Sequence, residues 1–239
     1  SGIAGYKIYR QNDLYASPIT TLTENSFSNT GLSPSIKYCY RVSAFDNAGN
    51  ESVKSAEMCA QTLTSPQWVI SSVDKVGDVG MYSSLAVDLQ NKAHIAYYDD
   101  SNDDLKYATK NEALWKKTII DSTGDVGRYL DIAVGKNGKV HISYYECTFK
   151  SGDDCISGNL KYATNATGTW ITNTIDTGGN VGWYTSIAAD SNDNIHISYY
   201  DVSNGVLKYM KKDSVGTWAT PVVVDDAGDV GQFSSIAVD

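Results

Sequence analysis

The chain has 239 residues with a net charge of −9, 41% apolar and 20% charged residues. This is globular material rather than a disordered tract, enough for one large domain or two ordinary ones. The negative charge sets aside nucleic acid and anionic membrane surfaces as partners, and no apolar run approaches the roughly 18 residues needed to span a bilayer, which sets aside membrane insertion.

Seventeen Tyr and five Trp against four Pro suit β-strands, on whose pleated surfaces aromatic rings pack well. The four cysteines fall into two local pairs, Cys39 with Cys59 and Cys147 with Cys155. Neither pair has zinc-knuckle spacing, so two disulfides and an oxidising, extracellular or cell-surface location are expected.

Gly5-Tyr-Lys-Ile-Tyr-Arg10 alternates and ends in the polar cluster Gln11-Asn-Asp13, as a strand before a turn does. Further strands are expected at Ile19–Leu22 and near Ser26–Thr30. In Tyr38–Ala44, Tyr38, Tyr40, Val42 and Ala44 share one face of a half-buried strand. Asp46–Glu51 is a turn cluster, and Glu57–Thr62 reads as the returning strand.

GYKIYR, TGLSPSIKYCYRVSAFDNAGNES from Thr30, and the closing strand at Thr62 resemble a fibronectin type III module over residues 1–62. The resemblance implies a β-sandwich serving as a spacer in an extracellular protein. Its first two strands have no counterpart here, so the chain is expected to begin inside the module. It also implies that Cys39 and Cys59 face each other on the last hairpin, with their side chains on the outward face. Residues 63–67 read as a linker.

From Trp68 onward the chain repeats itself. The copies start at Trp68, Trp115, Trp170 and Trp218, at spacings of 47, 55 and 48 residues, and the fourth stops early. Each reads as a Trp-led outer strand, a glycine loop, a small apolar inner strand (SSLAVD, LDIAVG, TSIAAD, SSIAVD), a bulky strand (AHIAYYD, VHISYYE, IHISYYD) and a fourth (DLKYAT, NLKYAT, VLKYMK). A period of about 48 residues with four short strands is the mark of a β-propeller or similar array. The fold class is therefore all-β: a partial fibronectin-III-like β-sandwich followed, over 68–239, by about three and a half four-stranded antiparallel blades. Trp68–Asp74 and Ser234–Asp239 are expected as lone outer and inner strands. These repeats resemble the propeller blades of large exported bacterial surface proteins, which resemblance implies architecture more than activity.

The Gly-Asp-Val-Gly loops (77–80, 124–127, 228–231, and Gly179-Asn-Val-Gly182) read first as turns, with glycine supplying positive φ and the carboxylate a cap. They also offer a ligand-binding ring of Asp78, Tyr82, Asp125, Tyr129, Asn180, Tyr184 and Asp229, with Phe233 beside them. Such a ring would stack sugars or hold Ca²⁺ on Asp78, Asp125 and Asp229, the one cofactor the pattern admits.

His94, His141 and His196 occupy one repeat position and read as structural. Asp99, Glu146 and Asp201 read as turn caps rather than as a glycosidase pair. The insertion Glu146–Asn159, carrying Cys147 and Cys155, breaks the repeat once and is the best single candidate for specificity. No catalytic residue is assigned. The reading is a non-enzymatic extracellular binding or surface-display protein whose partner is carbohydrate or protein. The alternatives are a glycan-active propeller hydrolase or lyase, or a structural subunit that self-associates through open blade edges.

Overall fold

The computed structural model describes residues 2–11, 14–65, 69–111, 114–152 and 154–239. Trp68, the expected start of the first copy, lies outside the described residues, as do Pro66 and Gln67 of the expected linker. The chain divides into two compact units, Ser1–Ile70 and Ser71–Asp239. Among the described residues sixteen strands form four four-stranded antiparallel sheets. Among the described residues no helix is long and apolar enough to cross a membrane.

The first unit is one sheet of β1 (Ile3–Arg10), β2 (Pro18–Leu22), β3 (Lys37–Asp46) and β4 (Met58–Gln61), in the order β2-β1-β3-β4. One face of it is an open apolar groove of about 570 Å³ lined by Tyr6, Ile8, Leu22, Phe27, Tyr40 and Val42 among others. On the opposite face Glu51 gathers Lys7 (2.6 Å), Ser43 (2.6 Å) and Tyr9. The Lys7 ammonium and these two hydroxyls hold its carboxyl down to about 2.

Two expectations are corrected in this unit. Ser26–Thr30 forms no strand, because it has no neighbour to pair with; Phe27 and Asn29 fold into the groove instead, and Asn29 Nδ2 donates to the Tyr40 hydroxyl at 2.8 Å. Cys39 and Cys59 are directly paired and bonded, but Cys39 is buried while Cys59 is exposed. The difference follows from position, since β3 is an inner strand and β4 an edge.

The second unit repeats one sheet three times. The first is β5 (Val79–Val87), β6 (Ala93–Asp99), β7 (Asp104–Asn111) and β8 (Leu114–Asp121). The second is β9 (Asp125–Val134), β10 (Val140–Ser151), β11 (Asp154–Thr164) and β12 (Ile171–Asp176). The third is β13 (Val181–Ala189), β14 (Ile195–Asp201), β15 (Val206–Lys212) and β16 (Val222–Asp225). Within each sheet the strands pair in chain order, so the Trp-led strand is one edge and the small apolar strand the other. Val69–Asp74 and Ser234–Asp239, expected as lone strands, form no ladder, since a strand is defined by a partner and neither has one.

Two cores lie between successive sheets. Ala96, Leu105 and Tyr107 of the first sheet meet Val126, Leu130, Ile132, Ile142 and Tyr144 of the second. Leu160 and Tyr162 of the second meet Val181, Ile187, Ile195, Ile197 and Tyr199 of the third. The bulky middle strands are buried on both faces. In contrast β5, which opens the first sheet of this unit, alternates outward and leaves Leu85 and Val87 exposed.

The second glycine of each loop sets how closely these layers approach. A Cβ at Gly127 would lie 3.0 Å from Leu105 Cα, one at Gly182 2.9 Å from Leu160 Cα, and one at Gly231 2.8 Å from Leu207 Cα. Their φ values are 110°, 105° and 106°, a region that L side chains rarely adopt. Gly80 has the same backbone (φ 104°) but nothing within 4 Å. Gly182→Ala therefore suffers strain and overpacking together, whereas Gly80→Ala suffers strain alone. Urea unfolding is expected to give Gly182→Ala a loss of about 2–4 kcal/mol, at least about 1 kcal/mol more than Gly80→Ala. Equal losses at the two positions would mean that the close approach to Leu160 has no energetic weight.

Candidate functional site

The loop that opens each inner strand leads into an aromatic residue held in the left-handed region: Tyr82, Tyr129, Tyr184 and Phe233 have φ of 51°, 50°, 50° and 54°. Non-glycine residues seldom adopt it, and the ladder register shifts beside the first three, which are β-bulges. The bulge turns each ring out of its own ladder and toward the next copy. Ring centroids are 4.9 Å apart for Tyr82–Tyr129, 4.9 Å for Tyr129–Tyr184 and 4.1 Å for Tyr184–Phe233. The structure thus brings Tyr82, Tyr129 and Tyr184 together with Phe233 in one arc. Phe233 is exposed and the three tyrosines are half-buried.

The loop carboxylates and amide do not converge with them. Each accepts instead from the second tyrosine of the preceding sheet's YYD or YYE run. Tyr98 donates to Asp125 at 2.9 Å, Tyr145 to Asn180 at 2.6 Å, and Tyr200 to Asp229. Asp78, in the first copy of the repeat, is the exception, and its side chain is exposed. Burial pushes the Asp125 carboxyl up, but Arg128, Lys150 and the Tyr98 hydroxyl outweigh it and hold it below its ordinary value. A Ca²⁺ ring of Asp78, Asp125 and Asp229 is not assembled, because Asp125 staples the second sheet to the first, while Asp229, in the loop after β16, is held by Tyr200 of the third. Among the described residues, the one grouping of three His, Cys, Asp or Glu ligand atoms within 4.8 Å is Cys39, Glu57 and Cys59, two of which share a disulfide.

A second repeated network lies one residue away. The first tyrosine of each run donates to the aspartate closing the preceding Trp-led segment: Tyr97 to Asp74 at 2.9 Å, Tyr144 to Asp121 at 2.8 Å, Tyr199 to Asp176 at 2.6 Å. The lysine of LKY joins each pair to the carboxylate ending the run. Lys106 meets Asp74 (2.7 Å) and Asp99 (3.2 Å), Lys161 meets Asp121 (2.7 Å) and Glu146 (3.4 Å), and Lys208 meets Asp201 (2.8 Å) and Asp176 (3.4 Å). Burial raises the Asp121 carboxyl, yet Lys161 and Tyr144 bring it below its ordinary value. Asp99, Glu146 and Asp201 therefore each sit with a lysine in a different sheet. Asp99 and Asp201 also take an asparagine from the turn that follows, and Glu146 takes Asn159 across the hairpin.

The middle sheet departs from this pattern on the loop face. Its β10–β11 hairpin is extended, and Cys147 pairs in register with Asp125, which puts the insertion on the same end as the glycine loops. Cys147 and Cys155 are joined, and Phe149 and Ile156 project from the stapled tip, 62% and 52% exposed. Lys150 leans back onto Asp125 at 2.6 Å, and Asp125 also pairs with Arg128 at 2.9 Å. The residue before each arc aromatic differs in every copy: Met81, Arg128, Trp183, Gln232. Trp183 stacks on Tyr129 with centroids 4.9 Å apart and meets Tyr145 edge-on.

Sequence reasoning passed over this variable position, and also over Asp131, which stands where the other copies have Ser84, Ser186 and Ser235. Asp131 accepts from Ser84 Oγ (2.6 Å), Ile132 N (2.9 Å), Ser186 Oγ (3.0 Å) and Ile187 N (2.9 Å), linking all three sheets through one carboxylate. The signal in both cases is a single departure from an otherwise constant repeat.

The histidines are held inside the sheets. Nδ1 lies 2.5 Å from the Tyr107 hydroxyl at His94, 2.5 Å from Tyr162 at His141, and 2.7 Å from Tyr209 at His196.

No protein-family model matches the chain. A 64-residue stretch, 27% of the chain, is 42% identical to part of Exoglucanase B of Cellulomonas fimi, and an 81-residue stretch, 33% of the chain, is 35% identical to part of an amylopullulanase of Thermoanaerobacterium saccharolyticum. In each case the match spans 6% of the relative's length. Among solved structures, a mutant of AofleA from Arthrobotrys oligospora aligns with 91% of this chain and 64% of its own at 13% identity (TM-score 0.47). A fucose lectin from Kordia zhangzhouensis, in complex with methyl-fucoside, aligns with 59% of this chain and 96% of its own at 16% identity (TM-score 0.39). Likeness of that order carries no argument about this chain.

Burial pushes the His141 imidazole down to about 4, with Lys212 adding repulsion and Asp193 opposing it. The unfolded chain, with an ordinary imidazole, binds a proton that the folded protein refuses. Stability is therefore full above the ordinary value and falls as pH drops from about 6.5 to about 4, by at most about 3 kcal/mol from this residue. Urea midpoints at about pH 7 and about pH 4.5 should show this fall, and His141→Gln should flatten it in that window. An unchanged slope in the variant would assign the effect to other groups.

Proposed function

We propose that the chain is a non-enzymatic carbohydrate-binding part of an exported bacterial surface protein, with a fibronectin type III-like unit over residues 1–62 and propeller blades from Trp68 onward. The observation that carries this is the loop face of the second unit. An aromatic arc, a stacked Trp183 and a disulfide-stapled hairpin with exposed Phe149 and Ile156 lie at one end of the sheets, where rigid rings offer the flat apolar faces on which sugars stack. The titratable groups there are tied into inter-sheet staples rather than aimed at a common point, which supports binding over hydrolysis or elimination.

Partial identity to short stretches of an exoglucanase and an amylopullulanase supports a carbohydrate context. The two disulfides support an extracellular location. In the first unit, a single sheet with an open apolar face supports the fibronectin type III reading, in which a second sheet would cover that face.

A second reading, self-association through blade edges, has its own support. The edge strand β16 exposes Val222, Val223 and Val224, and β5 at the other end exposes Leu85 and Val87. Native mass spectrometry decides it: a defined oligomer at micromolar concentration favours assembly, and a monomer removes it.

The binding reading is tested by affinity electrophoresis in gels containing soluble cellulose derivatives, starch or pullulan. Retardation by at least one polysaccharide is expected, with a roughly tenfold or greater loss in Phe149→Ser, whose exposed position leaves the melting temperature unchanged. Retardation equal in the variant and the parent would move the site off the stapled hairpin. Release of reducing ends from any of these substrates would favour the glycan-active enzyme over the binding protein.

A further inference from the structure

Two copies of the repeat treat their histidine alike and the third does not. His94 Nε2 lies 3.1 Å from Asp88 and His196 Nε2 3.3 Å from Asp190, each aspartate closing the inner strand of the same sheet. In the middle copy that position is Gly135. His141, 5% exposed, keeps Nδ1 against the Tyr162 hydroxyl (2.5 Å) and Thr164 Oγ1 (3.2 Å), but its buried Nε2 has no hydrogen-bond partner.

A second orphan lies beside the first. Asp193, in the turn between β13 and β14 of the next sheet, buries Oδ1 with no partner. The two are neighbours, because a Cβ at Gly135 would meet Asp193 Oδ1 at 2.7 Å, Asn137 Oδ1 at 3.1 Å and His141 Nε2 at 3.5 Å. The three nearest atoms around a position lacking a side chain are thus all polar, and two of them are buried and unsatisfied. An unmet buried polar atom costs about 1–3 kcal/mol, so two side by side invite a common partner.

The donor set defines the partner's chemistry. Thr164 Oγ1 gives its proton to Val140 O at 2.8 Å and so meets Nδ1 as an acceptor, which puts the ring proton on Nδ1 and leaves the Nε2 lone pair facing the gap, the arrangement by which histidine ligates metals. Asp193 supplies a carboxylate oxygen and Asn137 an amide oxygen. One imidazole nitrogen with two oxygens suits a borderline divalent ion better than Ca²⁺, which takes six to eight oxygens. Lys212 is the nearby opposing charge. Burial lowers its affinity for a proton, with Asp213 opposing, and its ammonium lies over the rings of Tyr162 (4.9 Å) and Trp218 (5.8 Å). Asn137 is exposed and Asp193 half-buried, which gives an entry path from solvent.

We propose that His141 Nε2, Asp193 and Asn137 form a binding site for a divalent transition-metal ion of the Zn²⁺ class, clamping the middle sheet to the third. Two ligands come from one sheet and one from the next, so occupancy ties the two layers together at the end opposite the glycine loops.

The test uses the tag-free full chain, stripped with chelator and titrated with ZnCl₂ by calorimetry and native mass spectrometry. One Zn²⁺ per chain is expected, with a raised melting temperature. Asp193→Asn, compatible with the left-handed φ of 61° at that position, should weaken binding roughly tenfold or more without changing the fold of the metal-free protein. Absence of stoichiometric binding overturns the proposal, as does binding undiminished in Asp193→Asn. More than one ion per chain would place binding beyond this site and overturn it equally.

Discussion

Successive copies of the repeat in the second unit meet backbone against backbone. Gly127 sits over Leu105, Gly182 over Leu160 and Gly231 over Leu207, so near that a methyl group would collide with the Cα beneath it. That approach drives the neighbouring valines, Val126 and Val181, fully out of solvent. It also brings the loop carboxylate or amide of one sheet within reach of a tyrosine hydroxyl on the sheet before. A backbone amide crosses the same gap, Val126 N to Asp103 O and Val230 N to Gly205 O, both at 3.0 Å. Loss of the glycine contact would loosen the apolar core and these polar staples together, since all of them need the same short spacing.

This constraint decides what the loop face can do. Asp125 and Asn180 are spent on holding sheets together, as are the lysine triads around Asp121 and Asp176, while Asp229 and Asp74 are spent on holding the flanking segments to the third and first sheets. A polar group satisfied in a repeated structural role is not free to meet a ligand in one place. Individual chemistry resides where the repeat is broken: Arg128 and Trp183 at the variable position, the stapled hairpin with Phe149 and Ile156, Asp131 between three inner strands, and Gly135 beside His141. The proposed carbohydrate face and the proposed metal site both rest on such breaks, at opposite ends of the sheets.

Much of the fold was legible because its determinants are local. Alternation in AHIAYYD and glycine or asparagine at the turns specify strands whatever surrounds them, and a repeated spacing specifies that the same sheet recurs. The local pairing of cysteines was legible for the same reason. Ser26–Thr30 was misread as a strand because pairing needs a neighbour, which local pattern does not supply, and Cys39 was placed outward because its burial depends on β3 lying between β1 and β4. Of the candidate ring, its aromatic half was legible as an assembly and its acidic half was not. Tyr82, Tyr129 and Tyr184 do meet, whereas Asp78, Asp125 and Asp229 do not.

The sequence by itself determined that this protein is all-β, that its second unit is one four-stranded sheet used repeatedly, and that the insertion Glu146–Asn159 breaks the repeat once. Those properties follow from side-chain period and turn chemistry, which act over a few residues. Only the tertiary structure decided which tyrosine reaches which carboxylate, that Asp131 binds three sheets, and that Asp193 arrives beside His141 from the neighbouring layer. Those partners lie far apart in the chain or in different sheets. Their meeting is set by the spacing and rotation between layers, which no local pattern encodes.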